Sequence, residues 1–206
     1  PRTLTGMVFP WQRRNVPPEL AERVPPGQVL TEKFPVLHFG RVPSYGDLSG
    51  WDFRVWGEVE HPFDLGWAEF RNLPTHEQTL DIHCVTRWSK LDTRWEGVSF
   101  SHIAEVAVPT AAARFVIFHS EGGFTANIPL ETAMRPECLL AWSYDGQPLT
   151  PEHGYPLRAI VPGTYFWKSA KWLRGIELTA DDRPGFWERN GYNNEADPWK
   201  EQRYSP

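Results

Sequence analysis

The chain has 206 residues, 40% of them hydrophobic and 23% charged, which suits one globular domain with a sizeable core and excludes a peptide scaffold, a fibrous repeat and wholesale disorder. Lys and Arg number 21 against 26 Asp and Glu, a net charge of −5, so nothing draws the chain to a phosphate backbone or an anionic membrane surface. The 16 glycines and 20 prolines favour short strands and structured loops over long helices.

Residues 1–30, rich in Pro, Arg and Glu with PP at 17–18 and 25–26, read as an extended N-terminal arm, and 31–206 as a single domain. Phe53, Val55 and Val59 recur around Gly57, the pattern of a strand broken by a bend or bulge. In TLDIHCV the residues Leu80, Ile82 and Cys84 alternate with polar ones, which predicts a second strand with Cys84 at or near its end. SHIAEVA (101–107) suits a short helix with a serine at its start. ARFVIFH, between Pro109 and the Gly122–Gly123 pair, reads as a buried strand. LLAWSY runs into the turn dipeptide Asp145–Gly146, and PLRAIVPG and IELTA add two further strands. The result is a mixed α+β, mostly β fold with short helices. By composition alone the polar, aromatic tail from Asp181 onward reads as a mobile end.

No run of eighteen apolar residues occurs, and the first thirty residues lack an apolar secretory core. The only cysteines, Cys84 and Cys138, make no disulfide framework. These features predict a cytoplasmic protein without a membrane span and with reduced thiols. A start at Pro1 is consistent with initiator removal or with trimming of a longer precursor.

The common catalytic signatures are missing: no P-loop, GxGxxG, HExxH, GxSxG or CxxC occurs. His83 follows Glu77 within a period-2 segment, the wrong spacing for a metal-binding helix. Two constellations remain. Cys84 has His83, Arg87, Lys90 and Arg94 within ten residues, and positive charge favours the thiolate that ligates metals; the competing reading is a buried, inert thiol. Arg158, Lys168 and Lys171, with the Ser169 hydroxyl, form a candidate phosphate grip; the competing reading is a solvated basic surface.

The blocks WDFRVWGEVEHPFDL, DIHCVTRWS and DGQPLTPEHGYPLRAIVPGTYFWKSAKWLRGIEL, in that order and spacing, resemble the molybdopterin-binding domain of the sulfite oxidase family over residues 31–204. The resemblance implies a sulfite-oxidase-type fold around molybdenum held by one molybdopterin dithiolene and one cysteine thiolate, here Cys84. It implies pterin contacts from Phe34, Leu37 and His38, from Ser120, from His153 and Arg158, and from the phosphate-binding stretch Ser169, Ala170 and Lys171. WERNGY resembles the aromatic segment that returns to the metal, which would place Tyr192 beside the substrate oxygen.

The chain departs from the family where sulfite oxidases carry a sulfite-binding arginine, two residues before His38; here that residue is Val36. Arg87 or Arg94 is the candidate to supply compensating charge, with Arg87 placed at the catalytic centre. No immunoglobulin-like or haem module follows the pterin domain, so electrons are expected to pass to an unidentified donor or acceptor. The expected activity is oxygen-atom transfer on a small molecule, either sulfite or an S- or N-oxide. The alternative is a non-catalytic molybdopterin-binding or carrier protein.

Overall fold

The computed structural model describes residues 16–206. Its first strand, β1 (Val29–Leu30), pairs parallel to Trp88–Ser89. The part of the arm before residue 16 lies outside the described residues, and from there Val24 and Gln28 bury their side chains ahead of β1. The alternation at Phe53 and Val55 gives β2 (Asp52–Gly57), with both side chains buried, and β3 (Phe63–Gly66) pairs with it antiparallel. Gly57 ends β2 at a φ of +91°, where a Cβ would collide with the Leu178 carbonyl, and Val59 beyond it makes a single bridge to Pro109.

A short helix, α1 (Trp67–Arg71), precedes the long hairpin of β4 (His76–His83) and β5 (Trp88–Ser99). The next helix, α2 (Phe100–Ala107), starts earlier than SHIAEVA suggests. Ser99, not Ser101, caps it, its hydroxyl accepting from the His102 amide at 3.2 Å. Then come β6 (Phe115–Ser120), β7 (Thr125–Pro129), α3 (Leu130–Ala133) and β8 (Leu139–Tyr144). Asp145 and Gly146, with φ of 49° and 74°, turn β8 into β9 (Gln147–Pro148), as expected of that dipeptide. The chain closes with β10 (Arg158–Ile160), β11 (Leu173–Thr179) and α4 (Phe186–Arg189).

Two sheets result. One runs β1-β5-β8-β10, with β4 added to β5 and β9 to β8; the other runs β3-β2-β11-β6-β7. The main core draws Phe53, Val116 and Ile176 from the second sheet against Val98, Leu140 and Ala159 from the first. A smaller cluster, with Ile82, Cys84, Trp88, Trp95 and Ile160, packs under Phe34 and Phe166. The architecture is therefore the mostly β, mixed fold expected from the sequence.

The tail corrects the compositional reading. Ala196 and Arg203 are buried, Tyr165 donates its amide to the Ala196 carbonyl at 2.7 Å, and Tyr192 bridges to Tyr204. Polar residues read as a mobile end because the partners that bury them lie far away in the sequence. Among the described residues no helix is long and apolar enough to cross a membrane.

Candidate active site

Strand β4 ends at His83 and delivers Cys84 into a tight turn, where its amide donates to the Trp88 carbonyl at 2.8 Å and its carbonyl accepts from the Arg87 amide at 3.0 Å. The Cys84 thiol is mostly buried, yet it lines a cavity of about 290 Å³. Five separate stretches line this cavity: residues 34–39, 84–88, Phe124, 153–172 and 187–192. Burial pushes the thiol pKa up, while the Thr86 hydroxyl, 3.2 Å from Sγ, and the charges of Arg203 and Lys171 pull it down. The cations that act on the sulfur therefore come from distant segments. The sequence-adjacent His83 is buried with a pKa pushed down to about 4, which leaves it uncharged at neutral pH.

One end of the cavity is cationic. Arg158 lines it while only 1% exposed. Its two amino groups donate to the carbonyls of His153 and Ser169 at 2.9 Å, but among the described residues Nε has no partner and the guanidinium no carboxylate. Burial pushes its pKa down to about 9, the mark of a guanidinium lacking a counter-ion. Lys171 lies close by, with burial and then Arg158 pushing its pKa down to about 7. The His153 ring stacks on Phe34 at 3.9 Å, its Nδ1 is buried without a partner, and burial followed by Arg158 and Lys171 pushes its pKa down to about 4. The Ser169 hydroxyl accepts from the Val161 amide at 2.9 Å. Gly154, at a φ of +112°, lets the chain pass Arg158 and Lys171, whose Cβ atoms would lie 3.1 and 3.2 Å from any side chain there.

The other end is aromatic. Trp167, Trp187 and Tyr192 line it together with Phe39 and Phe124, and the Tyr192 ring packs at 5.0 Å from Trp167 and 4.8 Å from Trp187. Burial raises the Tyr192 pKa, and the charges of Tyr204 and Cys84 raise it further, which places the phenol within the electrostatic reach of the thiol. A buried joint carries this end: Lys168 pairs with Glu188 at 2.6 Å and donates to both oxygens of Asn127, while Glu188 also accepts from Trp167 Nε1 at 2.8 Å.

The structure thus gathers most residues named from the sequence onto one cavity: Phe34, Leu37, His38, Cys84, His153, Arg158, Ser169, Ala170, Lys171 and Tyr192. Three residues fall elsewhere. Arg87 does not line the cavity; its guanidinium lies beside Gly27, 3.1 Å from where a Cβ would sit. Ser120 is buried at the end of β6, also outside the lining. Lys168, read as part of the phosphate grip, is consumed by Glu188 and Asn127. Thr86, Trp88, Trp167, Trp172 and Trp187 were not singled out from the sequence; the chain's 11 tryptophans give a count without positions, and Thr86 left no signal of its own.

Among the described residues no three His, Cys, Asp or Glu side chains come together to hold a metal, and no carboxylate lines the cavity. A soft metal bound at Cys84 must therefore take its other ligands from a cofactor. The unpartnered Nε–H of Arg158, with the unpartnered ring nitrogen of His153 beside it, suits the anionic end of such a group. A single thiol at one wall and a desolvated guanidinium at another thus fit a molybdopterin.

Comparison with known proteins agrees. The family model of the oxidoreductase molybdopterin binding domain matches residues 39–187. An uncharacterized oxidoreductase of Bacillus subtilis (strain 168), YuiH, is 51% identical over 183 residues, covering 89% of this chain and 92% of its own. The protein-methionine-sulfoxide reductase catalytic subunit of Campylobacter jejuni is 28% identical over 69% of this chain, and the sulfite oxidase of Arabidopsis thaliana 28% identical over 74%. This chain spans about half the length of each, 53% and 48% respectively. The solved sulfane dehydrogenase SoxCD of Paracoccus pantotrophus shares the fold, with a TM-score of 0.62 and 17% identity, over 92% of this chain and 58% of that one. The family match extends across most of the chain, takes in the 84–88 and 153–172 stretches whole and only Phe39 and Trp187 of the first and last, and on it the chain belongs to the oxidoreductase molybdopterin-binding domain family.

Proposed function

We propose that this oxidoreductase transfers an oxygen atom to or from a small substrate at molybdenum held by a pterin dithiolene and the Cys84 thiolate. When bound, the molybdenum–molybdopterin supplies the two-electron change that the transfer requires. The observation that carries the reading is the Cys84 thiol on the wall of a cavity that is also lined by a buried guanidinium without a counter-ion among the described residues. Arg158, Lys171, His153 and the Ser169–Ala170 backbone would grip the pterin phosphate, with Phe34, Leu37 and His38 along its other side. Tyr192 would hold the substrate oxygen by donating its phenol proton in a hydrogen bond. Thr86 would donate to the ligating sulfur.

The cavity favours a neutral oxide over sulfite. Among the described residues the lysine and arginine that line it, Lys171 and Arg158, belong to the phosphate grip, and Val36, at the family's sulfite-binding arginine position, does not line it. The Phe39, Phe124 and Trp187 wall suits a sulfoxide carrying apolar groups. Reduction of a sulfoxide breaks its S–O bond, consumes two electrons from a reduced donor and two protons, and releases sulfide and water.

Metal analysis tests the reading. Purified protein should carry about one molybdenum per chain with extractable pterin. Cys84→Ser should abolish turnover and change the metal's optical bands while preserving the fold. A loaded Cys84→Ser protein with the parent's spectrum would overturn the ligand assignment. Faster turnover with sulfite than with methionine sulfoxide would overturn the substrate assignment.

A further inference from the structure

Cys84 is held from behind by two segments that the family resemblance does not mention. Gln28, fully buried, donates from Nε2 to the Cys84 carbonyl at 3.0 Å. Arg203, near the C-terminus and 5% exposed, donates from one amino group to the Val85 carbonyl at 2.6 Å and from the other toward the Pro26 carbonyl at 3.5 Å. Its guanidinium lies 4.8 Å from the Tyr165 ring centroid, and Tyr165 belongs to the segment that bridges to His83. The single carboxylate near Arg203 is Glu201, 3.8 Å away and 43% exposed, so the buried charge is only weakly neutralised. Among the described residues the Nε atom of Arg203 has no partner. The arrangement sets a desolvated cation against backbone carbonyls, the nearer that of Val85 adjacent to the thiol-bearing residue, where a neutral donor would hold the turn as well.

We propose that Arg203 is a positioning residue for the metal centre: it fixes the 84–87 turn through the Val85 carbonyl and sets a positive charge behind the Cys84 sulfur that raises the reduction potential of the bound metal. The inference rests on Cys84 being a metal ligand. Reduction adds negative charge to the centre, so a cation held in low dielectric behind the sulfur favours the reduced state, and its loss moves the potential negative. Arg87, whose guanidinium also lies beside Gly27, is exposed and screened, and its contribution is correspondingly smaller.

The test is a redox titration of the molybdenum-loaded enzyme, followed optically and by paramagnetic resonance, on Arg203→Met, Arg203→Lys, Glu201→Gln and Cys84→Ser. Arg203→Met should shift the potential negative, Arg203→Lys should stay near the parent, and Glu201→Gln should shift it positive. The surface variant Glu201→Gln keeps the test decisive if Arg203→Met does not fold. A merely structural Arg203 would lower the thermal midpoint and leave the potential unchanged, and unchanged potentials in Arg203→Met or Glu201→Gln overturn the proposal. If Cys84→Ser keeps the parent's metal spectrum, the ligand reading fails instead; a changed Cys84→Ser spectrum with unmoved Arg203 and Glu201 variants rejects the present inference alone.

Discussion

Ten residues apart in one loop-rich stretch, Arg158 and Lys168 are each 1% exposed, but they are buried in opposite ways. Lys168 has a carboxylate, Glu188, at 2.6 Å and two oxygens of Asn127 at 2.9 and 3.0 Å. Arg158 has two backbone carbonyls, a partnerless Nε and no carboxylate. Burying an ion without its counter-ion is costly, so a fold keeps such a group only where something else supplies the charge. The paired cation is a joint; the unpaired one is left free to meet an anion, the role proposed for it toward the pterin phosphate. Sequence spacing could not separate them, since both are basic residues in the same motif.

The largest way to break this comparison is Lys168→Met, which leaves Glu188 buried and uncompensated. It should destabilise the protein by about 3–5 kcal/mol, and adding Glu188→Leu should recover most of that. The joint also ties α4 and Trp187 to β7, so Lys168→Met should expose the tail from Asp181 to proteolysis. Urea unfolding of the three variants checks the first expectation, and a timed digest checks the second.

Acid sharpens the comparison next. Burial pushes the pKa of both His83 and His153 down to about 4, so between pH 6.5 and 4 the unfolded chain binds more protons than the folded one. Stability therefore falls as pH drops through that window. For His83, 6% exposed, the full loss is about 3 kcal/mol. Urea midpoints of cofactor-free protein at pH 7 and 4.5 should show the decline, and His83→Asn should flatten it by keeping the polar contact to Ser89 without the titration.

On the binding side, Arg158→Met should behave unlike Lys168→Met. It removes a charge without a carboxylate, two carbonyl contacts and the guanidinium's packing over the Phe166 ring at 4.3 Å, while the methionine keeps an apolar stem there, so cofactor-free stability should change much less than in the lysine variant. Cofactor retention should weaken by about 1.5–3 kcal/mol, the worth of a charge-assisted hydrogen bond. Molybdenum retained after dialysis, measured beside the thermal midpoint of the cofactor-free form, separates the two effects.

How much of this was readable beforehand follows from the kind of signal each residue leaves. Cys84 ends an alternating strand, and periodicity placed it correctly at the end of β4. Arg158, His153 and Lys171 lie in a contiguous motif, so resemblance located them and the structure gathered them onto the cavity. Arg87 failed because closeness in sequence does not fix side-chain direction: in a turn at φ +74° it lies beside Gly27. Gln28 and Arg203 left no signal, because each reaches the Cys84 turn from a remote stretch, 56 residues away for Gln28 to Cys84 and 118 for Arg203 to Val85. The tail looked mobile for the same reason. Its composition is polar, and the Asn127 and Lys168 groups that satisfy it lie in other segments.

The aromatic end gives the smallest effect and the finest test. Tyr192 is held by ring contacts with Trp167, Trp187 and Tyr204, and its backbone is fixed by the bridge to Tyr204. Tyr192→Phe keeps all of these and deletes one hydroxyl, so neither stability nor cofactor content should move. If the phenol donates to the substrate oxygen, turnover on a sulfoxide should fall by about 0.5–1.5 kcal/mol, roughly 2- to 12-fold, the range for one neutral hydrogen bond. The loss should appear in kcat as well as in kcat/KM, because a donor aimed at an oxygen gaining negative charge strengthens toward the transition state. A change confined to KM would make the hydroxyl a ground-state contact, and no change would leave Tyr192 a packing residue like Trp187 beside it.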